Sequence, residues 1–438
     1  MQKKYRIGLD LGTSSVKGVL CENGSYEPFA VAKAPFIYDR DGSGRVEIAG
    51  ENYLEAVYSA IRQLTASLPE NGEILSLCAA SASGNVMLLG GDFEPLTPII
   101  SWLDTRTKGE TDLVLGENFD TAAYYEKTGW GLIKNQFPLA CLSRLRVREP
   151  DLLKKAAYVT MSTEYLLKNL TGEWGISTSA GTPFYLIDQR SGRYCEEVLA
   201  KLGIKEEQLP PVVKNGSVIG KVTKEAAGKT GLPEGTPVLA GTFDHPGAAR
   251  GSGVTKKGEM LLSCGTSWVG FFPLESREKG IENKMLLDPF LSENGGPWAG
   301  MVSLAGVASS IDSYIDKYIS SGDDKFTLFE EYAQKSEPSS LRLSFTKDDE
   351  KLISELDKPQ IARAIMQSVA LELKKDFDRL RKGGIDAMSA VMVGGPTGCP
   401  YWKNVIEEVT GIKVRIGNGA YAGAIGAANI EKADDRNV

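Results

Sequence analysis

The chain of 438 residues carries 50 Lys and Arg against 57 Asp and Glu, a formal net charge of -7, and is 42% hydrophobic. So mild an acidic excess argues against nucleic acid or an anionic membrane as the main partner, and a bound phosphate would need local groups to hold it. A single histidine, His245, excludes a His-rich metal site, and six cysteines without a C-x-x-C pair read as reduced thiols. The opening Met-Gln-Lys-Lys-Tyr-Arg runs into a strand without an apolar signal region, and no stretch reaches membrane-helix length, so a cytoplasmic location is expected.

In chain order, Tyr5 to Leu11 alternates: Tyr5, Ile7, Leu9 and Leu11 share one face and Arg6, Gly8 and Asp10 the other, as in a half-buried strand. The knot Gly12-Thr13-Ser14-Ser15 follows, then a second strand from Val16 to Cys21 that ends at the turn Asn23-Gly24. Further strands are expected near Phe29 to Ile37 and Ile74 to Ala80. Between them Tyr53, Leu54, Val57, Ile61 and Leu64 recur at helical spacing. Asp120 to Gly203 reads as mainly helical, and the turn chemistry of Thr230 to Pro237 leads into a strand at Val238 to Phe243. A second strand-knot-strand unit spans Met260 to Phe272, Gln360 to Leu380 is a long amphipathic helix, and Ala390 to Gly395 is a strand entering a Gly-rich turn. The alternation predicts an α/β protein of two similar halves, 1–243 and 244–438.

The first knot fits neither a Walker loop, which needs G-x-x-x-x-G-K-[ST] before a helix, nor a dinucleotide fingerprint, which needs G-x-G-x-x-G. It joins two strands. Such a hairpin turn can aim backbone N–H groups and the Thr13 and Ser14 hydroxyls at one anion, although many turns of this composition are plain hairpins. Asp10 at the strand end would face the same point, which makes sense beside a phosphate if a cation such as Mg²⁺ lies between them. The second copy, Gly265-Thr266-Ser267, suggests duplicated halves that grip a triphosphate; Ser263 stands where the first copy has Asp10. Gly394 and Gly395 would let backbone approach a purine closely, or serve an ordinary strand-to-helix turn. Asp244 ends a strand where Pro246 can begin a helix. It reads either as an N-cap or as a carboxylate kept ionised by the helix dipole and able to take a proton from an attacking hydroxyl. His245 beside it reads as a structural or substrate-contacting histidine.

The ordered series D-x-G-T-S-S, G-x-x-D-x-x-x-x-x-x-G-x-G, C-G-T-S and G-G-x-x-x-x-x-x-W resembles the FGGY family of carbohydrate kinases. The likeness runs from Tyr5 to about Ile430. It implies two ribonuclease-H-like domains of the actin/hexokinase type flanking a central cleft, and ATP-dependent phosphorylation of a sugar, sugar acid or polyol, with either a ketopentose of the xylulose type or a sugar acid of the gluconate type favoured. By resemblance Asp244 matches the catalytic base and Asp10 the Mg²⁺-associated aspartate. Gly12, Thr13, Ser14, Lys17, Gly265, Thr266, Ser267, Gly394 and Gly395 match the nucleotide-binding positions. Trp102, Asp104 and Arg106 match a W-x-D-x-R pattern near the sugar pocket, to which Ser83, Asn85, Asp244 and His245 would also contribute. Arg106 reads equally as a salt-bridged helix start. The chain departs from relatives in having Ser83-Gly84-Asn85 where many ketose kinases carry Met-His-Gly, Pro396 in the Gly-rich turn, and a short segment from Asp316 to Pro359. The expected partners are ATP, Mg²⁺ and a small sugar or polyol, with no nucleic acid or membrane, and a homodimer is left open. The rival expectation is a non-catalytic, nucleotide-gated sugar sensor. The final Ala420-to-Ala428 run is expected to pack as an Ala/Gly-rich helix against the other half.

Overall fold

The computed structural model describes residues 2–265, 268–304, 307–338, 341–417 and 419–433. They form two compact units. The first comprises Met1–Gly251, Leu286–Gly296 and Gly423–Val438, and the second Ser252–Met285 and Pro297–Ala422.

In the first unit the strands β1 (Lys3–Leu11), β2 (Ser15–Glu22) and β3 (Pro28–Pro35) form an antiparallel meander. Helix α1 (Gly50–Ala66) leads to β4 (Gly72–Ser81), and later α2 (Ser162–Thr171), β5 (Val218–Lys221), β6 (Pro237–Phe243) and α3 (Asp244–Gly251) follow. The sheet order is β5-β6-β4-β1-β2-β3, with β1, β4 and β6 running parallel. Tyr53, Leu54, Val57, Ile61 and Leu64, which the sequence places on one helical face, are all buried, and α1 packs them on β2 and β3. Helices over 121–128, 137–148, 150–155 and 196–202 make up much of the stretch read as helical.

The second unit repeats the pattern with new residues. Strands β7 (Glu259–Cys264), β8 (Trp268–Leu274) and β9 (Trp298–Leu304) form the antiparallel meander. Helix α4 (Lys358–Lys382) leads to β10 (Ser389–Gly394), and α5 (Tyr401–Thr410) to β11 (Lys413–Ile416). Strand β10 lies parallel to both β7 and β11. Helix α4 starts where Asp357 and Gln360 form a reciprocal capping box, and Arg379, Arg381 and Lys382 occupy its last turn, favourable for the dipole.

Two expectations change. Strand β1 is not half-buried, because the last helix, Ala422–Ala428, covers its second face: a Cβ on Gly8 would fall 1.9 Å from the Ala424 carbonyl oxygen. That helix also lies against α3, where a Cβ on Gly426 would fall 1.9 Å from the Gly247 carbonyl oxygen. Small residues are needed because two backbones meet there. For the same reason the compact first unit retains α3 and regains the chain terminus, whereas the sequence puts a simple boundary before Asp244.

Glu164, in the first turn of α2, is an acid that no pattern in the sequence places inside; it is buried, and its Oε2 has no hydrogen-bond partner. Burial pushes its carboxyl up to about 8, against the N–H groups of Glu164 and Met161. A raised folded-state value means stability is fullest below the unfolded carboxyl's range and falls as pH rises toward 8. Glu164→Gln is expected to raise the urea midpoint at pH 8, by about 2 kcal/mol in stability, and to leave it nearly unchanged at pH 4.5. Gly426→Ala is expected to cost about 3 kcal/mol in the same denaturation assay, the scale of overpacking. In contrast, Gly228→Ala, in an exposed helix with open space around it, is expected to add about 0.5–1 kcal/mol.

Candidate active site

Strand register assembles the first unit's candidates. Leu11 of β1 is level with Ser81 of β4, and Ser81 is level with Phe243 of β6. Three parallel strands therefore end together, and their continuations are the Gly12-Thr13-Ser14 turn, the Ala82-to-Asn85 loop and Asp244. Carboxyl ends of parallel strands are where open α/β sheets bind ligands.

At the first turn, the Gly12 N–H donates to the Ser15 carbonyl, 3.1 Å, so this donor closes the hairpin and is not aimed outward. The Trp102 indole N–H donates to Thr13 Oγ1, 3.3 Å, while Ser14 is exposed. Asp10 and Lys17 are opposite each other in the β1–β2 register, with Lys17 Nζ 3.8 Å from Asp10 Oδ2. Gly423 lies behind Asp10, and a Cβ there would fall 2.9 Å from Asp10 Cγ. Burial pushes the Asp10 carboxyl up to about 6; Lys17 draws it down and the charge of Asp244 adds to the rise. The two carboxylates thus share one electrostatic neighbourhood.

Asp244 is the first residue of α3, and its Oδ1 accepts the His245 backbone N–H at 2.7 Å. The His245 Nε2 lies 3.9 Å from the same oxygen, and its ring meets Phe243 edge-on at 5.4 Å. A run of rings joins this end to the first turn. Phe243 contacts Trp130 at 5.7 Å, Trp130 contacts Phe137 at 5.9 Å, and Phe137 stacks on Trp102 at 5.9 Å. Trp130 and Phe137 were not legible as site residues, because nothing in their spacing relates them to Trp102. Phe137 has a left-handed backbone, φ 69°, uncommon for a bulky residue, and faces Gly84. A small pocket lined by Gly12, Thr13, Asn85, Ser101, Trp102 and Ser162 opens beside the turn.

The remaining sugar-side candidates have internal partners. Asn85 Nδ2 donates to Ser162 Oγ, and its Oδ1 accepts the Ser162 N–H at 2.8 Å, so Asn85 caps α2 from a distance. Ser83 is buried and its hydroxyl donates to the Ser81 carbonyl at 3.3 Å. Asp104 is buried, with Oδ2 accepting the Val46 N–H and Oδ1 the Arg106 N–H, each at 3.0 Å. Arg106 also pairs with Asp104 at 2.8 Å and with Glu47. Burial opposes the guanidinium's charge, and the bonds from Asp104 and Glu47 outweigh it, raising its pKa. These ion pairs tie the 101–107 loop to the 46–48 strand, and the next helix starts only at Glu110, so Arg106 is salt-bridged in a loop and not at a helix start.

In the second unit, Cys264 of β7 is level with Gly394 of β10, which brings Gly265 and the Gly394-Gly395 turn to neighbouring strand ends. Gly394 has φ 102°, and a Cβ there would fall 2.2 Å from the Cys264 carbonyl oxygen, so only glycine suits it. Gly395–Gly398 form a short 3-10 turn, closed by Thr397 Oγ1 donating to the Gly394 carbonyl at 2.7 Å. Thr266 and Ser267 lie outside the described residues. All six cysteines are buried and unpaired, and among the described residues no helix is long and apolar enough to cross a membrane.

Comparison with known proteins bears on this arrangement. Residues 5–251 match the profile of the N-terminal domain of the FGGY family of carbohydrate kinases, more than half of the chain. The xylulose kinase of Bacillus subtilis (strain 168) is 29% identical over 288 residues, which cover 64% of this chain and 56% of that protein. The autoinducer-2 kinase of Klebsiella pneumoniae subsp. pneumoniae is 25% identical over 459 residues, covering 97% of this chain and 84% of that protein. The crystal structure of xylulose kinase from Rhodospirillum rubrum shares the fold, with a TM-score of 0.82 at 23% identity, over 97% of this chain and 89% of that one. With its paired meander sheets and these matches, the chain belongs to the FGGY family of carbohydrate kinases, built from two actin/hexokinase-like α/β domains.

Proposed function

We propose that the chain transfers the γ-phosphoryl group of ATP to a hydroxyl of a ketopentose, sugar acid or polyol, with Asp244 as general base. The observation that carries this reading is the common level of Leu11, Ser81 and Phe243, after which Asp244 starts a helix within electrostatic range of Asp10. The names of the relatives, xylulose kinase and autoinducer-2 kinase, support an acceptor of the small-sugar class.

Asp244 opens α3 at the end of β6, where its carboxylate would take the proton of the acceptor hydroxyl. The Thr13 and Ser14 hydroxyls donate to phosphate oxygens, and Lys17 supplies a positive charge at 3.8 Å from Asp10. In the second unit, Gly265 would offer backbone to a phosphate and the Gly394-Gly395 turn a close backbone approach to a purine, while Thr266 and Ser267 lie outside the described residues. Trp102 would offer an apolar wall to the acceptor's C–H face, with His245 at its edge. Asp104 and Arg106 act by fixing the loop that carries Trp102.

A divalent cation suits the residues present. Two carboxylates, Asp10 and Asp244, face one another's charge, and no group of three or more His, Cys, Asp or Glu gathers among the described residues. Mg²⁺ is commonly held by one or two carboxylates together with substrate phosphates and water, and when bound it would neutralise phosphate charge. Asp10 is the residue that would orient it.

ADP release should be measured with D-xylulose, D-gluconate, glycerol and autoinducer-2 as acceptors. At least one is expected to stimulate it. Asp244→Ala should bind ATP as the wild type does but turn over ~10²-fold or more slowly. Wild-type turnover in that variant would refute the base assignment, and no stimulation by any acceptor would favour the sensor. Asp10→Asn is expected to raise the Mg²⁺ concentration for half-maximal rate ~10-fold or more, with acceptor KM little changed.

A further inference from the structure

Beneath Asp244 lies a buried polar network that phosphate and sugar binding leave without a use. Ser179 Oγ accepts the backbone N–H of Phe243 at 3.2 Å, shares a hydrogen bond with Thr242 Oγ1 at 2.7 Å, and lies 2.9 Å from Asp288 Oδ2. Asp288 Oδ1 in turn accepts the Phe290 N–H at 2.7 Å. At the far end of the same helix, Arg250 donates from Nη2 to the Phe290 carbonyl at 2.6 Å, with its guanidinium over the Phe290 ring at 5.2 Å. The short segment 288–290 therefore holds both ends of α3: its start through Ser179 and Phe243, its finish through Arg250. Asp244 is the next residue after Phe243.

We propose that Asp288, acting through Ser179, is a positioning residue that fixes the start of α3 and hence the aim of the Asp244 carboxylate. This rests on Asp244 being the base. The placement of Asp288 has no packing rationale. It is fully buried, and desolvation pushes its carboxyl up to about 7, against the Ser179 hydroxyl, the Phe290 N–H and the Arg250 charge. An acid held there works against stability, whereas its hydrogen-bond geometry serves the backbone one residue from the site. The neighbouring Glu293 provides an internal contrast. It accepts from Thr178 Oγ1 at 2.5 Å and from the Asn215 N–H at 2.9 Å, so it anchors the same segment through partners other than Ser179, and its charge adds to the rise at Asp288.

Asp288→Asn, Ser179→Ala, Glu293→Gln and Asp244→Ala should be made in the full chain and compared by two measurements. The first is hydrogen exchange of the peptide covering 243–251, which needs no acceptor. Asp288→Asn and Ser179→Ala are expected to speed its exchange ~10-fold with other core peptides unchanged, and Glu293→Gln to leave it unchanged. The second is ADP release with whichever of D-xylulose, D-gluconate, glycerol and autoinducer-2 is fastest in the wild type. Asp288→Asn and Ser179→Ala should lower kcat ~10- to 100-fold while KM for ATP and acceptor stay within ~2-fold, the scale of a misaimed group. If Asp288→Asn unfolds the chain, the gentler Ser179→Ala decides. Unchanged exchange at 243–251, or an equal loss in Glu293→Gln, overturns the positioning role. An active Asp244→Ala overturns the base assignment on its own, and a silent Asp244→Ala beside an unaffected Asp288→Asn overturns only the present inference.

Discussion

The site depends on one constraint, the parallel register of β1, β4 and β6. Because Leu11, Ser81 and Phe243 are level, three chain segments far apart in sequence leave the sheet at the same edge. A slip of one residue in any of these strands would turn its side chains to the other face and move its continuation by about 3.3 Å, enough to lose a hydrogen bond. Close packing on both faces holds the register. α1 covers β2 and β3 with large apolar residues, and the last helix covers β1 through glycine and alanine.

The same design appears in both units, with different chemistry at the ends of the strands. In the first, the strand before the turn contributes Asp10, and a hydrogen-bonded helix start contributes Asp244. In the second, β7 has Ser263 in the corresponding place, and its parallel neighbour runs into a turn of glycines. A shared scaffold thus carries carboxylates at the strand ends of one copy and close backbone approach on the other. Gly394 shows the cost of that approach, since its backbone is left-handed and lies against Cys264 with no room for a side chain.

Charged residues in the first unit divide by what they touch. Asp104, Arg106 and Glu47 satisfy one another and hold a loop, which suits half-buried ion pairs that are expensive to break. Asp10, Lys17 and Asp244 are looser: 3.8 Å separates Asp10 from Lys17, and Asp244 is bonded to its neighbour's backbone. Groups whose hydrogen-bonding capacity is already filled give architecture, while those still partly unsatisfied at a strand edge are available to a ligand.

Sequence alone determined much of this. Alternation in Tyr5 to Leu11 and the helical spacing of Tyr53 to Leu64 follow from local periodicity, and the repeated Gly-Thr-Ser knots announced duplicated halves, because a motif and its spacing are written in adjacent residues. The places of Asp10, Gly12, Asp244, Gly394 and Gly395 at strand ends were legible for that reason. Tertiary structure alone decided which partner each polar group found. Nothing in the chain's order pairs Arg106 with Glu47, caps Ser162 with Asn85, sets Phe137 between Trp102 and Trp130, or brings Asp288 under Phe243. Those contacts join residues from 7 to 77 positions apart only by depth and direction of packing, and contact geometry at that range is fixed when the sheets and helices close, not before.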